Sequence, residues 1–210
     1  MAGGYFTVAD TVEIQLDIQR SRFLAAAWHV ADEDAAKAAV AARRAQYPDA
    51  SHHCFAYTIG ANMNPQRFSD DGEPNGTAGM PILEVLKAQG LTYTVVIVTR
   101  YFGGILLGAG GLLRAYSGAA AQALQAAGWV CMLPSRTVWA DVAYEQWGKV
   151  AHELQFCPYR LLDTAYGSSI TAKLLVKLSD EVQLNADFAA WTNGQALVMM
   201  DEVCDAPWEV

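Results

Sequence analysis

Hydrophobic and polar residues alternate one by one near the start of the chain. Apolar side chains occupy every second position from 12 to 18, with charged or amide side chains between them, which predicts a strand with one buried face. A second extended run, 23–30, follows a turn at residues 20–22. The next segment is rich in alanine, so we predict a helix that Asp32 caps and that ends before Pro48.

Strands and helices continue to alternate through the middle of the chain. Residues 55–59 predict a strand, and Pro81 suits the first turn of a helix that ends near Gly90. The β-branched run in 93–99 has no polar alternation and predicts a strand buried on both faces. Apolar residues at helical spacing predict a longer helix from about residue 111 to residue 127.

The second half of the chain follows the order β-α-β-β-α-β, which is that of a ferredoxin-like domain. Ser179 is the predicted N-cap of its second helix, and the predicted strands are 137–144, 161–166, 168–178 and 195–203. A boundary near Pro134 separates the two patterns. We therefore predict an α+β protein with mixed sheets and two domains, 1–134 and 135–210, and we expect the second domain to fold by itself.

Net charge limits the partners that this chain can bind. The formal charge is -8; residues 1–135 carry 9 basic and 11 acidic side chains (net -2), and residues 136–210 carry 5 and 11 (net -6). Broad binding to a nucleic-acid backbone needs clustered Lys and Arg. Any nucleic-acid contact is therefore expected to be local and to lie outside the second domain.

Cysteine spacing and the apolar runs indicate a cytoplasmic protein. Cys54, Cys131, Cys157 and Cys204 form no C-x-x-C pair, so we expect reduced thiols without a zinc or dithiol centre. The first residues lack the basic and apolar segments of a secretory signal. The longest uncharged apolar run, 101–113, is shorter than the ~20 residues that span a bilayer, and no membrane contact is expected.

Glycine is concentrated between residues 72 and 111, around an acidic turn and beside two arginines. Since glycine loses the most backbone freedom on folding, this density predicts unusual dihedrals or a close approach to another group. We expect five of these glycines to hold the 101–113 loop in backbone conformations that side chains resist: Gly103, Gly104, Gly108, Gly110 and Gly111.

Arg114 falls in or just before the first turn of the predicted long helix. A cation at this end opposes the helix dipole by about 0.3–1 kcal/mol, so an anion is expected nearby. One alternative is internal, with Asp70, Asp71 or Glu73 pairing with Arg114 or Arg100. The other is external, with a phosphate or carboxylate bound at the amides of residues 108–112. The two arrangements are compatible with each other.

The acidic turn and the adjacent histidines offer further alternatives. Clustered carboxylates suit a hard cation such as calcium, but this turn lacks the ligand spacing of an EF-hand loop. A segment rich in Asp and Gly is more often a surface turn. His52 or His53 is a candidate general base, with Ser51, Ser69 or Cys54 as nucleophile. Only one of the two histidines can face a given pocket. A G-x-S-x-G motif and a Walker loop are both absent from the sequence, and no catalytic residue, metal or cofactor is expected.

The segments SDDGEP, GTAG, TRYFGG, LGAGG and RAYSGA, together with ASHHCFAY and SRF upstream, closely resemble the YigZ/IMPACT family. The resemblance covers most of the chain. It implies an N-terminal domain similar to the second domain of a small-subunit ribosomal protein. It also implies a C-terminal domain similar to the ferredoxin-like domains of elongation factor G, and a role linked to translation.

This chain departs from the family pattern beside the glycine loops. Met80 and Leu106 stand where many relatives carry basic residues, and Ser51 and His53 replace a common Thr and Asn. Fewer cations there weaken the phosphate hypothesis. We therefore predict a ligand- or anion-binding cleft made of Arg22, His52, Arg67, Asp70, Asp71, Glu73, Arg100, Gly104, Gly108, Gly110, Gly111 and Arg114.

Our first functional prediction is a non-enzymatic regulator of translation that binds RNA, the ribosome or a regulatory protein through this cleft. The alternative is an enzyme or nucleotide-phosphate-binding protein that uses the same cleft. This alternative rests on an analogy with small-molecule kinases, which bind phosphate with a glycine-rich loop before a helix. The sequence leaves the oligomeric state open.

Overall fold

Residues 3–208 are described by the structure, a computed structural model. They form two compact units, an N-terminal unit of residues 4–131 and a C-terminal unit that contains residues 132–208. The N-terminal unit contains strands and helices in this order: β1 (Tyr5–Val8), β2 (Val12–Ile18), β3 (Ser21–His29), α1 (Glu33–Gln46), β4 (His52–Thr58), β5 (Gln66–Ser69), α2 (Gly79–Ala88), β6 (Thr94–Tyr101) and α3 (Gly108–Ala127).

The main sheet of the N-terminal unit has the order β2-β3-β6-β4-β5 and consists of antiparallel pairs. Helices α2 and α3 pack on one face, over a core that includes Phe23, Ile82 and Leu124. Helix α1 packs on the other face against β4 and β6. The central strand β6 is buried on both faces as predicted, which explains its continuous β-branched sequence.

The C-terminal unit has the predicted β-α-β-β-α-β order. Its elements are β7 (Trp129–Val142), which begins in the N-terminal unit, α4 (Tyr144–Glu153), β8 (Arg160–Tyr166), β9 (Ile170–Lys177), α5 (Glu181–Thr192) and β10 (Leu197–Trp208). The sheet runs β10-β7-β9-β8. Helices α4 and α5 contribute to the core with Val150, Leu184 and Phe188. The predicted fold class and two-domain organisation are confirmed.

Several predicted element boundaries are wrong, and each has a local cause. Helix α3 begins at Gly108, one turn earlier than predicted, because glycine hides the apolar spacing of the first turn. Tyr144 begins α4 and is exposed rather than ending a strand. Ser179 lies in a 3₁₀ turn, and α5 has no side-chain cap. Asp32 does cap α1, since its carboxylate accepts from the amide of Ala35 at 2.7 Å.

The predicted domain limit near Pro134 stays a prediction. Strand β7 runs through this position without a break, so the chain has no irregular linker there. Whether residues 135–210 fold by themselves is checked by the unfolding of that fragment. A cooperative transition is expected, and a fragment without one would rule out this limit.

Candidate functional site

Three neighbouring strands place the predicted site at one end of the N-terminal sheet. Arg100 lies beside His52 on one flanking strand and beside Phe23 on the other. Residues directly opposite each other in a sheet project to the same face, so the side chains of Arg100 and His52 are neighbours. A cavity of about 200 Å³ adjoins Arg100, and we call it the cleft. Its lining is Glu73, Pro74, Arg100, Leu106, Leu107, Gly108, Ala109 and Leu112.

A buried ion pair forms one wall of the cleft. Arg100 Nη1 donates to Glu73 Oε1 at 2.6 Å, and both side chains are about 5% exposed or less. The hydroxyl of Tyr116 donates to the same carboxylate oxygen at 2.7 Å. Burial raises the pKa of Tyr116 far above its usual value, so this hydroxyl stays protonated. The internal pairing that the sequence allowed is therefore Glu73 with Arg100.

Arg100 is further held by the strand on its other side. Its Nη2 donates to Ser21 Oγ at 3.1 Å, while its Nε is buried without an acceptor among the described residues. The guanidinium also lies 5.3 Å from the Phe23 ring centroid and 5.4 Å from that of Phe102. Because Arg100 is hydrogen-bonded on two sides, its guanidinium is held in place and is not free to move toward a bound molecule.

Asp70 acts as the cap of α2. Its Oδ1 accepts from the amides of Gly79 at 2.8 Å and Ala78 at 3.0 Å, and its Oδ2 accepts from Gly76 at 2.9 Å. The amides of Ala78 and Gly79 belong to the amino end of α2, where backbone donors otherwise lack partners, and Gly76 lies in the turn before it. The carboxylate of Asp70 thus serves the fold, and the acidic turn (residues 69–73) is tied to α2 through it.

Asp71 connects the acidic turn to β4 and α1. Its Oδ2 accepts from the amide of His53 and its Oδ1 from Arg44 Nη2, both at 2.6 Å. Its carbonyl oxygen lies 2.8 Å from His52 Nδ1. A carbonyl oxygen only accepts, so His52 Nδ1 donates this hydrogen bond. Its Nε2 lies 3.9 Å from Glu73 Oε1.

His53 faces the opposite side of the sheet from His52. Its Nε2 donates to the carbonyl of Tyr47 at 3.1 Å, so its Nδ1 accepts from the hydroxyl of Thr99, also at 3.1 Å. Burial lowers the pKa of His53, which keeps the ring neutral. His53 is therefore a structural side chain, and the candidate nucleophile Cys54 is buried with a pKa that burial raises far above its usual value.

The glycines of the 101–113 loop serve different purposes. A Cβ on Gly103 would lie 2.0 Å from the carbonyl oxygen of Arg20, so only glycine fits there. Gly104 and Gly108 have positive φ angles of 80° and 70°, which side chains resist. Gly110 and Gly111 lie in the first turn of α3 with ordinary helical φ. The prediction of conformations that side chains resist is therefore wrong for these last two, and Gly103 is required by the close approach rather than by a positive φ.

Helix α3 presents an uncapped amino end to the cleft. Its N-cap, Leu107, provides no side-chain acceptor, and its first turn contains no acidic residue. Arg114 is exposed in the second turn, and its Nη1 lies 3.7 Å from where a Cβ on Gly110 would be, so the guanidinium reaches back over the first turn. Within residues 3–208, Arg114 has neither an ion pair nor a side-chain hydrogen bond.

Two predicted site arginines have other environments. Arg22 lies over the ring of Tyr101, 4.2 Å from its centroid. Arg67 lies on the edge strand β5, 4.0 Å from Glu33, and lines a separate groove beside α1 rather than the cleft. The structure thus gathers the acidic turn, His52, Arg100 and the start of α3 around one site and leaves Arg67 outside it.

Sequence reasoning missed Ser21 and Tyr116 as members of this network. Tyr116 lies on an otherwise apolar helix face, and a buried tyrosine needs a polar partner for its hydroxyl. Its position in the sequence therefore indicated a buried hydrogen bond. Ser21 carries no comparable signal. Its role depends on a pairing of strands that only the fold reveals. Among the described residues, no group of three or more His, Cys, Asp or Glu side chains is arranged to hold a metal ion.

The domain families of this chain follow from comparison with known proteins. Residues 19–124 match the Impact N-terminal domain, and residues 141–195 match a domain of unknown function, DUF1949. The IMPACT family member YvyE of Bacillus subtilis is 38% identical over 97% of this chain and 94% of its own length. The chain belongs to the IMPACT family.

Other IMPACT family proteins support this assignment. YigZ of Escherichia coli is 34% identical over 92% of this chain and 96% of its own length. A crystal structure of a protein described only as hypothetical matches with a TM-score of 0.63 and 32% identity, over 96% of this chain and 99% of that one. Membership of the IMPACT family suggests a regulatory role related to translation. None of the helices within residues 3–208 is long and apolar enough to cross a membrane.

Proposed function

We propose that this protein is a non-enzymatic, translation-linked regulator whose N-terminal domain binds an anionic group of RNA, the ribosome or a regulatory protein at the amino end of α3. Family membership supports the link to translation. The uncapped first turn of α3, with the unpaired guanidinium of Arg114 over it, supports the binding site.

The physical argument depends on the cost of leaving these groups without a partner. A cation near the amino end of a helix opposes the helix dipole, and first-turn amides are donors that an anion can satisfy. Arg114 and the amides together suit one phosphate or carboxylate, because arginine offers a planar, two-pronged donor. Arg100 lines the same cleft as the first turn of α3 but is already neutralised by Glu73, so a single anionic group fits the site.

The test is binding of ribosomes and of RNA oligomers across a salt series. Arg114→Ala should weaken binding by roughly tenfold, the loss of one charged hydrogen-bonded contact. The slope of log K against log salt should correspond to about one or two released counterions, because a single site is involved. Arg67→Ala, an exposed arginine outside the cleft, and Lys149→Ala in the C-terminal unit are the matched controls.

Equal loss of binding in Arg67→Ala, or wild-type binding in Arg114→Ala, would contradict this site. A thermal-shift screen with nucleotides and phosphorylated metabolites covers the alternative function. Stabilisation by one such ligand that disappears in Arg114→Ala would support a small-molecule site instead, since stabilisation measures ligand binding to the folded state.

A further inference from the structure

The exposed apolar side chains of the N-terminal unit are concentrated near the start of α3. Leu106 is 86% exposed and Leu113 is 49% exposed. Among described residues of this unit, five of the exposed large apolar side chains lie in the loop before α3 or on α2 and α3, namely Met80, Phe102, Ile105, Leu106 and Leu113. Phe68, which lines the groove beside α1, and Trp129 lie elsewhere. Large apolar patches on soluble domains mark interaction sites.

A groove between α2 and α3 contains part of this patch. Its apolar lining includes Met80, Pro81 and Val85 of α2 and Leu113 of α3, and its volume is about 350 Å³. An apolar cavity of about 150 Å³ accommodates one benzene-sized molecule. The groove therefore has room for about two apolar side chains of a partner.

Charge complementarity identifies the rest of the partner. Arg114 lies one position from Leu113 and three from Ser117, which also lines the groove, so it borders the groove on the surface of α3. The one acidic side chain of the lining, Glu84, is paired with Lys87 at 2.9 Å. The groove thus has an apolar floor and one unpaired cation at its edge.

This arrangement favours a protein segment over nucleic acid. An RNA strand carries a phosphate on every nucleotide and needs a row of cations along its path. Here the exposed large side chains in the loop before α3 and along the groove, Leu106, Met80 and Leu113, are apolar. An amphipathic helix in a groove between two helices instead uses apolar anchors spaced three or four residues apart.

We propose that the partner is an amphipathic protein segment that places two apolar side chains in the α2–α3 groove and an adjacent Asp or Glu carboxylate on Arg114 and the first-turn amides of α3. This assignment rests on the proposed function and specifies its partner. The apolar contacts supply burial, and the carboxylate fixes the register of the segment.

The test begins with a displayed library of random short peptides, selected against the wild-type protein. Enriched sequences should combine one acidic residue with two apolar residues at helical spacing. Leu113→Asp and Arg114→Ala should each weaken the enriched peptide by about tenfold or more in calorimetric titration. Val182→Asp, at an apolar position of the C-terminal unit that is 83% exposed, and Arg67→Ala are the controls and should leave affinity unchanged.

A charge exchange provides the sharpest check. Arg114→Glu should lose the acidic peptide and bind the peptide in which that acid is replaced by lysine. Failure to enrich acidic-apolar peptides, or loss of binding in the control variants, would overturn the assignment. A dimer seen in sedimentation that Leu113→Asp dissociates would make a second copy of this chain the occupant and would equally overturn it.

The two proposals fail in different ways. If Arg114→Ala weakens binding of polyuridylic acid or ribosomes and Leu113→Asp does not, the proposed function stands and the peptide assignment falls. If Arg114→Ala leaves every partner bound as in wild type, the proposed function itself falls.

Discussion

The acidic turn and the amino end of α3 border the same cleft, and they use their charged residues differently. Glu73 of the turn is buried and neutralised by Arg100, with Tyr116 as a further donor. Arg114 of α3 is exposed and has no ionic partner among the described residues. In the sequence both regions read as charges among glycines. The comparison teaches that burial decides whether such a charge stabilises the protein or stays available to a partner.

The largest effect on stability is expected from removing the carboxylate of Glu73 in the acidic turn, which Arg100 and Tyr116 share. Glu73→Ala leaves Arg100 charged and buried without its counter-ion, which should lower the free energy of unfolding by about 3–5 kcal/mol. Urea denaturation measures this loss. Glu84→Ala is the control, because its carboxylate is 57% exposed in a surface pair. If Glu73→Ala unfolds with the urea midpoint of wild type, the buried charges of the acidic turn contribute no stability, and the contrast with the exposed Arg114 fails.

A smaller loss is expected where backbone packs on backbone. Gly103→Ala forces a Cβ within 2.0 Å of the Arg20 carbonyl oxygen, and the displacement should cost about 2–3 kcal/mol. Gly110→Ala makes only an ordinary contact at 3.7 Å. It should be neutral or stabilise by up to about 1 kcal/mol, because alanine favours helix. Thermal unfolding of both variants distinguishes them, and equal destabilisation would argue against the close approach at Gly103.

Acid should lower the stability of the N-terminal sheet through His53, on the face opposite the cleft. Burial lowers the folded-state pKa of His53, so below pH ~6.5 the unfolded chain binds a proton that the folded protein resists. Stability should therefore fall as pH drops below about 6.5. His53→Gln should show a shallower fall in urea midpoints across the same pH series. A variant with the wild-type slope would show that His53 is not the responsible group.

The smallest effect on stability is expected at the amino end of α3. Arg114 is exposed and unpaired, and Arg114→Ala should change the free energy of unfolding by no more than about 0.5 kcal/mol, with a small gain because a cation leaves the amino end of α3. Urea denaturation measures this change, and ribosome and RNA binding by the same sample should be weakened as stated for the proposed function. A clear destabilisation in this variant would mean that Arg114 stabilises the fold rather than being available to a partner.

Local periodicity was sufficient to predict most of the fold. The alternation of residues 12–18 and the β-branched run of β6 identify strands because burial on one or two faces leaves a direct mark on sequence. The start of α3 was missed because its first turn, Gly108 to Gly111, contains no large side chain to show a helical period. Boundaries defined by glycine are therefore less visible than those defined by a capping side chain such as Asp32.

The site was only partly predictable for a different reason. The sequence allowed Asp70, Asp71 or Glu73 to pair with Arg100 or Arg114, and choosing among them requires knowing which side chain is buried. That depends on the pairing of β3, β4 and β6, which brings distant residues together. The separate location of Arg67 has the same origin, since β5 pairs only at the outer edge of β4.

The hydrogen bonds around Arg100 also affect when the site can form. They join Arg100 to Glu73 across 27 positions and to Ser21 across 79, and Tyr116 to Glu73 across 43. Contacts between residues so far apart in sequence close large loops and form slowly. During synthesis, Ser21 and Glu73 are made before Arg100 and Tyr116, so these hydrogen bonds can form only after the later residues have emerged. The cleft should therefore be among the last parts of the N-terminal domain to assemble.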